Sequence, residues 1–123
     1  NQQIRHVDFL PTILEDMEIS LDKNFTELDG VSLIPLINGK ILEEKIAYTE
    51  TGNPLVSNEP PKKPNTKSVR TSKWKLIYNE YNNTKELYDL EKDPDENENL
   101  IGTGLEIESK LWKELEKIQD KDN

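Results

Sequence analysis

The chain holds a single histidine, His6. An imidazole can act as a general base, a substrate contact or a metal ligand, but no triad or metal-ligand spacing accompanies this one. A plain structural role is the simpler reading, and one histidine excludes a histidine-rich zinc centre. Asp93, Asp95, Asn97 and Asn99 place carboxylate and amide oxygens at alternate positions, which suits a hard cation such as calcium. Counted from Asp93, however, a helix-loop-helix calcium loop needs glycine at its sixth position and glutamate at its twelfth, where this chain has Glu98 and Gly104. The run therefore reads as a turn that stops a strand. Lys62, Lys63 and Lys67 could attract an anionic sugar, although lysines scattered among prolines read more simply as a solvated loop. Trp74 and Trp112 could stack on a ligand, but each lies on the apolar side of its expected element and reads as core. Asn24-Phe25-Thr26 and Asn82-Asn83-Thr84 fit the short glycosylation acceptor pattern, which carries little weight with the compartment unknown.

Composition narrows the partners. With 123 residues, the chain can build one ordinary domain at most, and 33% hydrophobic against 33% charged residues predicts a thin core. A formal charge of −9 repels a phosphate backbone, so nucleic acid is excluded as a natural partner. No apolar run is long enough to span a bilayer, and the polar start is not a signal peptide, so the chain as given reads soluble. Zero cysteines exclude disulfides, thiolate metal sites and thiol nucleophiles, and leave the compartment open. The chain opens on Asn1 without an initiating methionine and runs almost directly into an apolar pattern, so residue 1 is read as an arbitrary cut inside a longer protein.

Several elements are needed to position these residues. Val7, Leu10, Ile13, Leu14 and Met17 recur at roughly helical spacing, predicting a helix over 7–17 with Asp8 as its cap and Pro11 in the first turn. Residues 20–40 read as a loop anchored by Val31, Leu33, Ile34, Leu36 and Ile37. A short strand at 46–50 precedes an exposed loop carrying prolines 54, 60, 61 and 64. Strands at 68–71, 74–79 and 86–90 follow, the second with Trp74, Leu76 and Tyr78 on one face and Lys75 and Ile77 on the other. Thr103 and Glu106 are spaced as a capping box for a final helix whose face carries Ile107, Leu111, Leu115 and Ile118, with Trp112 beside them. The expected fold is α+β, a small antiparallel sheet of about four strands packed against this C-terminal amphipathic helix.

Several stretches, in order, resemble the C-terminal part of the sulfatases of the alkaline-phosphatase superfamily. Asp8-Phe9-Leu10-Pro11-Thr12-Ile13-Leu14 is similar to a helix these enzymes share, and Asp29-Gly30-Val31-Ser32-Leu33 through Asn38-Gly39 to their following loop. Val69-Arg70-Thr71 with Lys73-Trp74-Lys75-Leu76-Ile77 resembles their strand pair. Glu86-Leu87-Tyr88-Asp89-Leu90, then Asp93-Pro94, Glu96, Asn99 and Leu100, is the most specific match. One departure is Glu18 before Ile19, where the family usually has a glycine ending the first helix.

The resemblance implies a parent sulfuric ester hydrolase, an arylsulfatase or carbohydrate sulfatase. It would use a formylglycine made from Cys or Ser and a divalent cation, usually calcium. All of that machinery precedes this chain in the family, so no catalytic or metal residue carries over and the chain alone is expected to be inactive. Residues 1–45 would end the large catalytic domain and 46–123 would form the smaller C-terminal subdomain, its partners being the missing N-terminal domain and a sulfated small molecule or glycan. The helix at 7–17 would otherwise dock on the small sheet, pair between copies or fray. Thr49, Glu50 and Thr51, at a strand end that can border a cleft, and Arg70 are the substrate-rim candidates, although a structural role, for Arg70 a pairing with an acid inside the fold, is the simpler reading. A phosphodiesterase or phosphonate monoester hydrolase of the same superfamily shares this layout. A stand-alone carbohydrate- or peptide-binding module, contacting through Trp74 and the lysine-bearing loop, is the alternative from another class. Export or a periplasmic location would suit such a parent.

Overall fold

The computed structural model describes residues 2–21, 28–52 and 64–121. They form two compact units, Asn1–Lys45 and Ile46–Asn123. Asn24-Phe25-Thr26, the prolines at 54, 60 and 61, Lys62 and Lys63 lie outside the described residues.

In the first unit a 3-10 turn, His6–Asp8, runs into helix α1, Phe9–Asp16. Pro11 falls in the first turn, where a missing N–H costs no intrahelical bond. Asp8 was expected to cap α1 with its side chain, but it bonds none of the helix's first N–H groups. Its carboxylate turns away from the helix start instead, accepting the Arg5 N–H at 2.9 Å and the Val31 N–H at 3.0 Å. The helix ends in a Schellman motif, with Ile19 N–H donating to Leu14 O at 2.8 Å and Glu18 N–H to Glu15 O at 3.1 Å. Glu18 holds φ 55°, the left-handed position usually given to glycine, so the reversal after Met17 keeps its geometry at the cost of strain in a non-glycine residue. A second short helix, α2, Ile34–Ile37, closes in the same way, with Lys40 N–H donating to Pro35 O at 2.9 Å and Gly39 at φ 79°.

The loop leading into α2 was expected to be held by its hydrophobic side chains, yet Leu33 alone of them is buried and Ile37 is 70% exposed. Polar contacts do much of the holding. Thr12 Oγ1 donates to Asp8 O at 2.5 Å and accepts the Leu33 N–H at 2.9 Å. Gly30 passes so close to the 3-10 turn that a Cβ there would stand 1.9 Å from Val7 O.

The second unit is an antiparallel sheet in the order β1-β2-β3-β4, formed by Ala47–Gly52, Pro64–Arg70, Trp74–Asn79 and Thr84–Asp89, followed by helix α3, Glu106–Lys121. The α+β expectation therefore holds, with β1, β2 and β4 longer than the sequence suggests. Pro64, assigned to the loop, opens β2 opposite Gly52, a strand start where its missing donor is tolerated. Lys67, expected in an exposed loop, is an inward-facing residue of β2 and only 8% exposed, with Nζ 3.5 Å from Glu80. The β2–β3 turn is tied by Thr71, whose N–H donates to Trp74 O at 2.8 Å while its hydroxyl accepts the Trp74 N–H at 2.9 Å. In the β3–β4 turn, Asn79 Oδ1 accepts the N–H groups of Tyr81 and Asn82, each at 3.1 Å.

The register places Val69 beside Leu76 and Leu76 beside Leu87. That row meets Leu111 and Leu115 of α3, and these five residues are the buried core. Tyr48, Trp74, Tyr78, Ile107, Trp112 and Ile118 surround it, so the helical face read from the apolar spacing is the face that packs. The capping box does not form. Thr103 Oγ1 donates to Leu100 O at 2.6 Å, and it is Glu108 that reaches back, accepting the Gly102 N–H at 2.9 Å. Gly102 and Gly104, at φ 75° and 82°, bend the chain there and take Thr103 away from the helix start.

The segment after β4 covers that edge of the sheet. Leu100 N–H donates to Leu87 O at 2.8 Å. Asn99 stands in for backbone beside it, its Oδ1 accepting the N–H groups of Leu87 and Ile101, each at 3.0 Å, and its Nδ2 donating to Lys85 O at 3.3 Å. An edge strand protected in this manner offers few free groups to another chain. No helix among the described residues is long and apolar enough to cross a membrane.

Candidate functional site

The rim candidates lie on neighbouring strands β1 and β2, and the pairing decides which of them share a face. Thr49 pairs with Ser68, and Ala47 with Arg70, so Thr49, Ser68 and Arg70 share the sheet face opposite α3. Thr51, opposite Thr66, continues the same row. Thr49 and Arg70 are exposed and Ser68 is half-buried. Glu50 is separated from them: it pairs with Lys67 on the helix-side face, and its carboxylate accepts the Tyr48 hydroxyl at 2.5 Å. Ser68 was not singled out from the sequence, although strand alternation with Arg70 was the signal that could have found it.

Farther along this face the sheet is roofed. Lys75 pairs with Arg70 on one side and Tyr88 on the other, and its ammonium donates to both Glu96 oxygens at 2.8 and 2.7 Å. Glu96 reaches that position from a backbone at φ 57°. The Tyr88 hydroxyl donates to Glu86 at 2.9 Å, and burial, then this bond and the charges of Glu86, Glu96 and Asp93, push its ionisation above the ordinary tyrosine value.

The remaining candidates lie elsewhere in the fold. Trp112 packs edge-on against Tyr78 with centroids 5.1 Å apart, and Lys85 Nζ lies 3.3 Å from the Trp112 ring centroid. Trp74 flanks the core, with Lys73 Nζ 5.6 Å from its ring. His6 is exposed, its ring 6.0 Å from that of Phe9. Asp93 spends its carboxylate on the loop itself, accepting the Glu98 N–H at 2.8 Å and Asn97 Nδ2 at 3.3 Å, and these bonds hold its pKa below the usual aspartate value. Among the described residues no three His, Cys, Asp or Glu side chains are grouped to hold a metal ion. Asn82 and Asn83 lie in the exposed β3–β4 turn, with Asn83 at φ 52°, and Thr84 opens β4.

In the first unit, sequence reasoning missed the latch built on Asp8, which is 2% exposed. Besides the Arg5 and Val31 N–H groups, it receives the Arg5 guanidinium at 2.7 and 3.2 Å, and Arg5 Nη2 also donates to Asp29 O at 3.3 Å. Burial raises the pKa of Asp8, but the Arg5 and Val31 hydrogen bonds outweigh it and the net shift is downward. A depressed folded pKa stabilises the fold above the unfolded value, and that contribution is lost as the pH falls through the folded one. The Val31 amide resonance is therefore expected to lose its hydrogen-bonded shift on acidification below about pH 4, the ordinary aspartate range. In Asp8→Asn the same resonance should show no such step, and an identical acid step in that variant would remove Asp8 as its cause.

Residues 1–121 match the family described as N-sulphoglucosamine sulphohydrolase, C-terminal. A choline-sulfatase of Rhizobium meliloti (strain 1021) is 33% identical over 99 residues, covering 77% of this chain and 17% of the relative. A protein solved in complex with its substrate D-glucosamine-2-N, 6-O-disulfate superposes with a TM-score of 0.72 at 27% identity, covering 94% of this chain and 24% of the other. A 2-O GAG sulfatase gives a TM-score of 0.61 at 26% identity, covering 93% and 23%. This chain thus spans about a quarter or less of the length of these relatives. It belongs to the N-sulphoglucosamine sulphohydrolase C-terminal family and is a C-terminal portion of a sulfatase.

Proposed function

We propose that the parent protein is a carbohydrate sulfatase acting on a sulfated amino sugar, and that this portion buttresses its catalytic domain and borders its substrate pocket. The observation that carries the reading is the likeness, over 94% of this chain, to a protein whose substrate is a doubly sulfated glucosamine. The buttressing side would be α1 and its flanks: Val7, Leu10, Ile13 and Met17 are 47%, 52%, 53% and 61% exposed, an apolar row that water disfavours and a neighbouring domain would cover. In this reading residues 1–45 complete the large domain and 46–123 form the small one, with Thr49 and Arg70, and less directly Glu50, at the rim.

The formylglycine and calcium that such a parent would use do not fit the residues here. There is no cysteine, none of the serines is followed two positions later by the proline of the formylglycine motif, and the described acids form no cation cluster. The nucleophile and its metal would be supplied from outside this chain, whose own residues would bind and orient substrate only.

The test is sulfate release by the full-length parent from D-glucosamine-2-N, 6-O-disulfate, choline sulfate and a phosphodiester. The reading expects kcat/KM for the sugar to exceed that for the other two by at least about a hundredfold, equivalent to roughly 2.7 kcal/mol of transition-state discrimination. Preference for choline sulfate would move the substrate class, and turnover of the phosphodiester alone would overturn the sulfatase reading.

A further inference from the structure

An asparagine followed by glycine is the pairing most open to spontaneous deamidation, because a following residue without a β-carbon lets its backbone nitrogen reach the asparagine side chain. In this chain Asn38-Gly39 is the single such pair. Both residues are exposed, and a β-carbon at Gly39 would meet nothing within 4 Å, so there is room for a ring to close. The local backbone opposes that closure. Asn38 is the C-cap of α2 at φ −82° and ψ 14°, a near-helical setting that turns the Gly39 N–H back along the helix rather than toward the Asn38 side chain. There it donates to Leu36 O at 3.0 Å, and the next amide, that of Lys40, donates to Pro35 O at 2.9 Å across the left-handed Gly39 at φ 79°. The nucleophile of the reaction is thus the same nitrogen that fastens the end of α2, and it is held until that end opens. In the exposed β3–β4 turn, Asn82 and Asn83 are followed by Asn83 and Thr84, whose β-carbons obstruct the same attack.

We infer that Asn38 is a site of spontaneous deamidation whose rate is set by opening of the α2 end. Once that end opens, the Gly39 nitrogen loses its proton to hydroxide and attacks Asn38 Cγ; the N–Cγ bond forms, the Cγ–Nδ2 bond breaks and ammonia leaves, giving a cyclic imide. Water then adds at either imide carbonyl and returns an open chain carrying aspartate or isoaspartate, so the sum is amide plus water to acid plus ammonia, with no redox change. Isoaspartate adds a methylene to the main chain, so the hydrogen-bonded end of α2 is not rebuilt and a transient opening becomes permanent. The test incubates the full-length parent at mildly alkaline pH in buffer and in urea, and follows the peptide holding residues 38 and 39 by mass spectrometry and by isoaspartyl methyltransferase labelling. In urea, Asn38 should convert first among the asparagines of residues 1–123. In buffer it should convert about tenfold more slowly, the combined worth of two ordinary hydrogen bonds. Pro35→Gly loosens α2 without changing the reacting residues, and should raise the rate in buffer several-fold, up to the urea rate if the first unit unfolds outright, while leaving the rate in urea unchanged. Equal rates in buffer and urea for the wild type, or no acceleration in Pro35→Gly, would overturn the control by α2. Conversion of another asparagine of these residues ahead of Asn38 in urea would overturn the site.

Discussion

Replacing Gly30 with alanine is expected to disrupt the first unit while leaving the second folded. The added methyl carbon would stand 1.9 Å from Val7 O, 2.5 Å from Val7 C and 2.9 Å from Asp8 N. All three are backbone atoms of the 3-10 turn, so no side chain can rotate away and the chain itself must move. Overpacking of this kind typically costs about 1–3 kcal/mol, and a clash with backbone belongs at the upper end of that range. Moving the loop also pulls Val31 N–H from the Asp8 carboxylate and Leu33 N–H from Thr12 Oγ1, now 3.0 and 2.9 Å away, so the polar latch is lost with the packing. Amide spectra of the variant should show collapsed dispersion for residues 5–21 and 28–40 with the resonances of 64–121 in place. Native dispersion in both units would mean that the turn can yield without cost.

The second large effect lies in the sheet unit. Leu111 is 1% exposed and packs among Val69, Leu76, Leu87 and Leu115, so Leu111→Ala removes buried methyls from the middle of a thin core. Such truncations cost about 2–5 kcal/mol, against a total stability of roughly 5–15 kcal/mol for an ordinary domain. Urea unfolding followed by tryptophan fluorescence reads this directly, because Trp74 and Trp112 both border the cluster. The midpoint should fall steeply in Leu111→Ala and hardly move in Leu105→Ala, whose side chain is 39% exposed. A loss below about 1 kcal/mol in Leu111→Ala would show that α3 is not a principal source of the unit's stability.

Both of these effects divide in the same way between what a sequence states and what it leaves open. The apolar spacing Ile107, Leu111, Leu115, Ile118 has one helical solution, and that face is the one buried. Trp74, Leu76 and Tyr78 alternate with Lys75 and Ile77, and the sheet keeps that division. These patterns are periodic and local, so burying apolar area enforces them whatever the neighbours are. Polar assignments fared worse for a physical reason. Asp8 was read as a cap for its own helix, but a carboxylate takes the best donors within reach, and those came from Arg5 and from Val31, 23 positions away. Thr103 and Glu106 have capping-box spacing, yet two left-handed glycines turned the threonine elsewhere. Asn99 looked like part of an acidic turn and proved to complete the edge of β4.

By itself, then, the amino-acid order determined a sulfatase-type C-terminal portion with an acidic surface, a four-stranded sheet and a closing amphipathic helix, because composition, period and motif order are properties of the chain alone. Tertiary structure decided which of the rim candidates share a face. Thr49, Ser68 and Arg70 share a face and Glu50 does not, and that follows from strand register, where a slip of one residue would send every side chain to the opposite side.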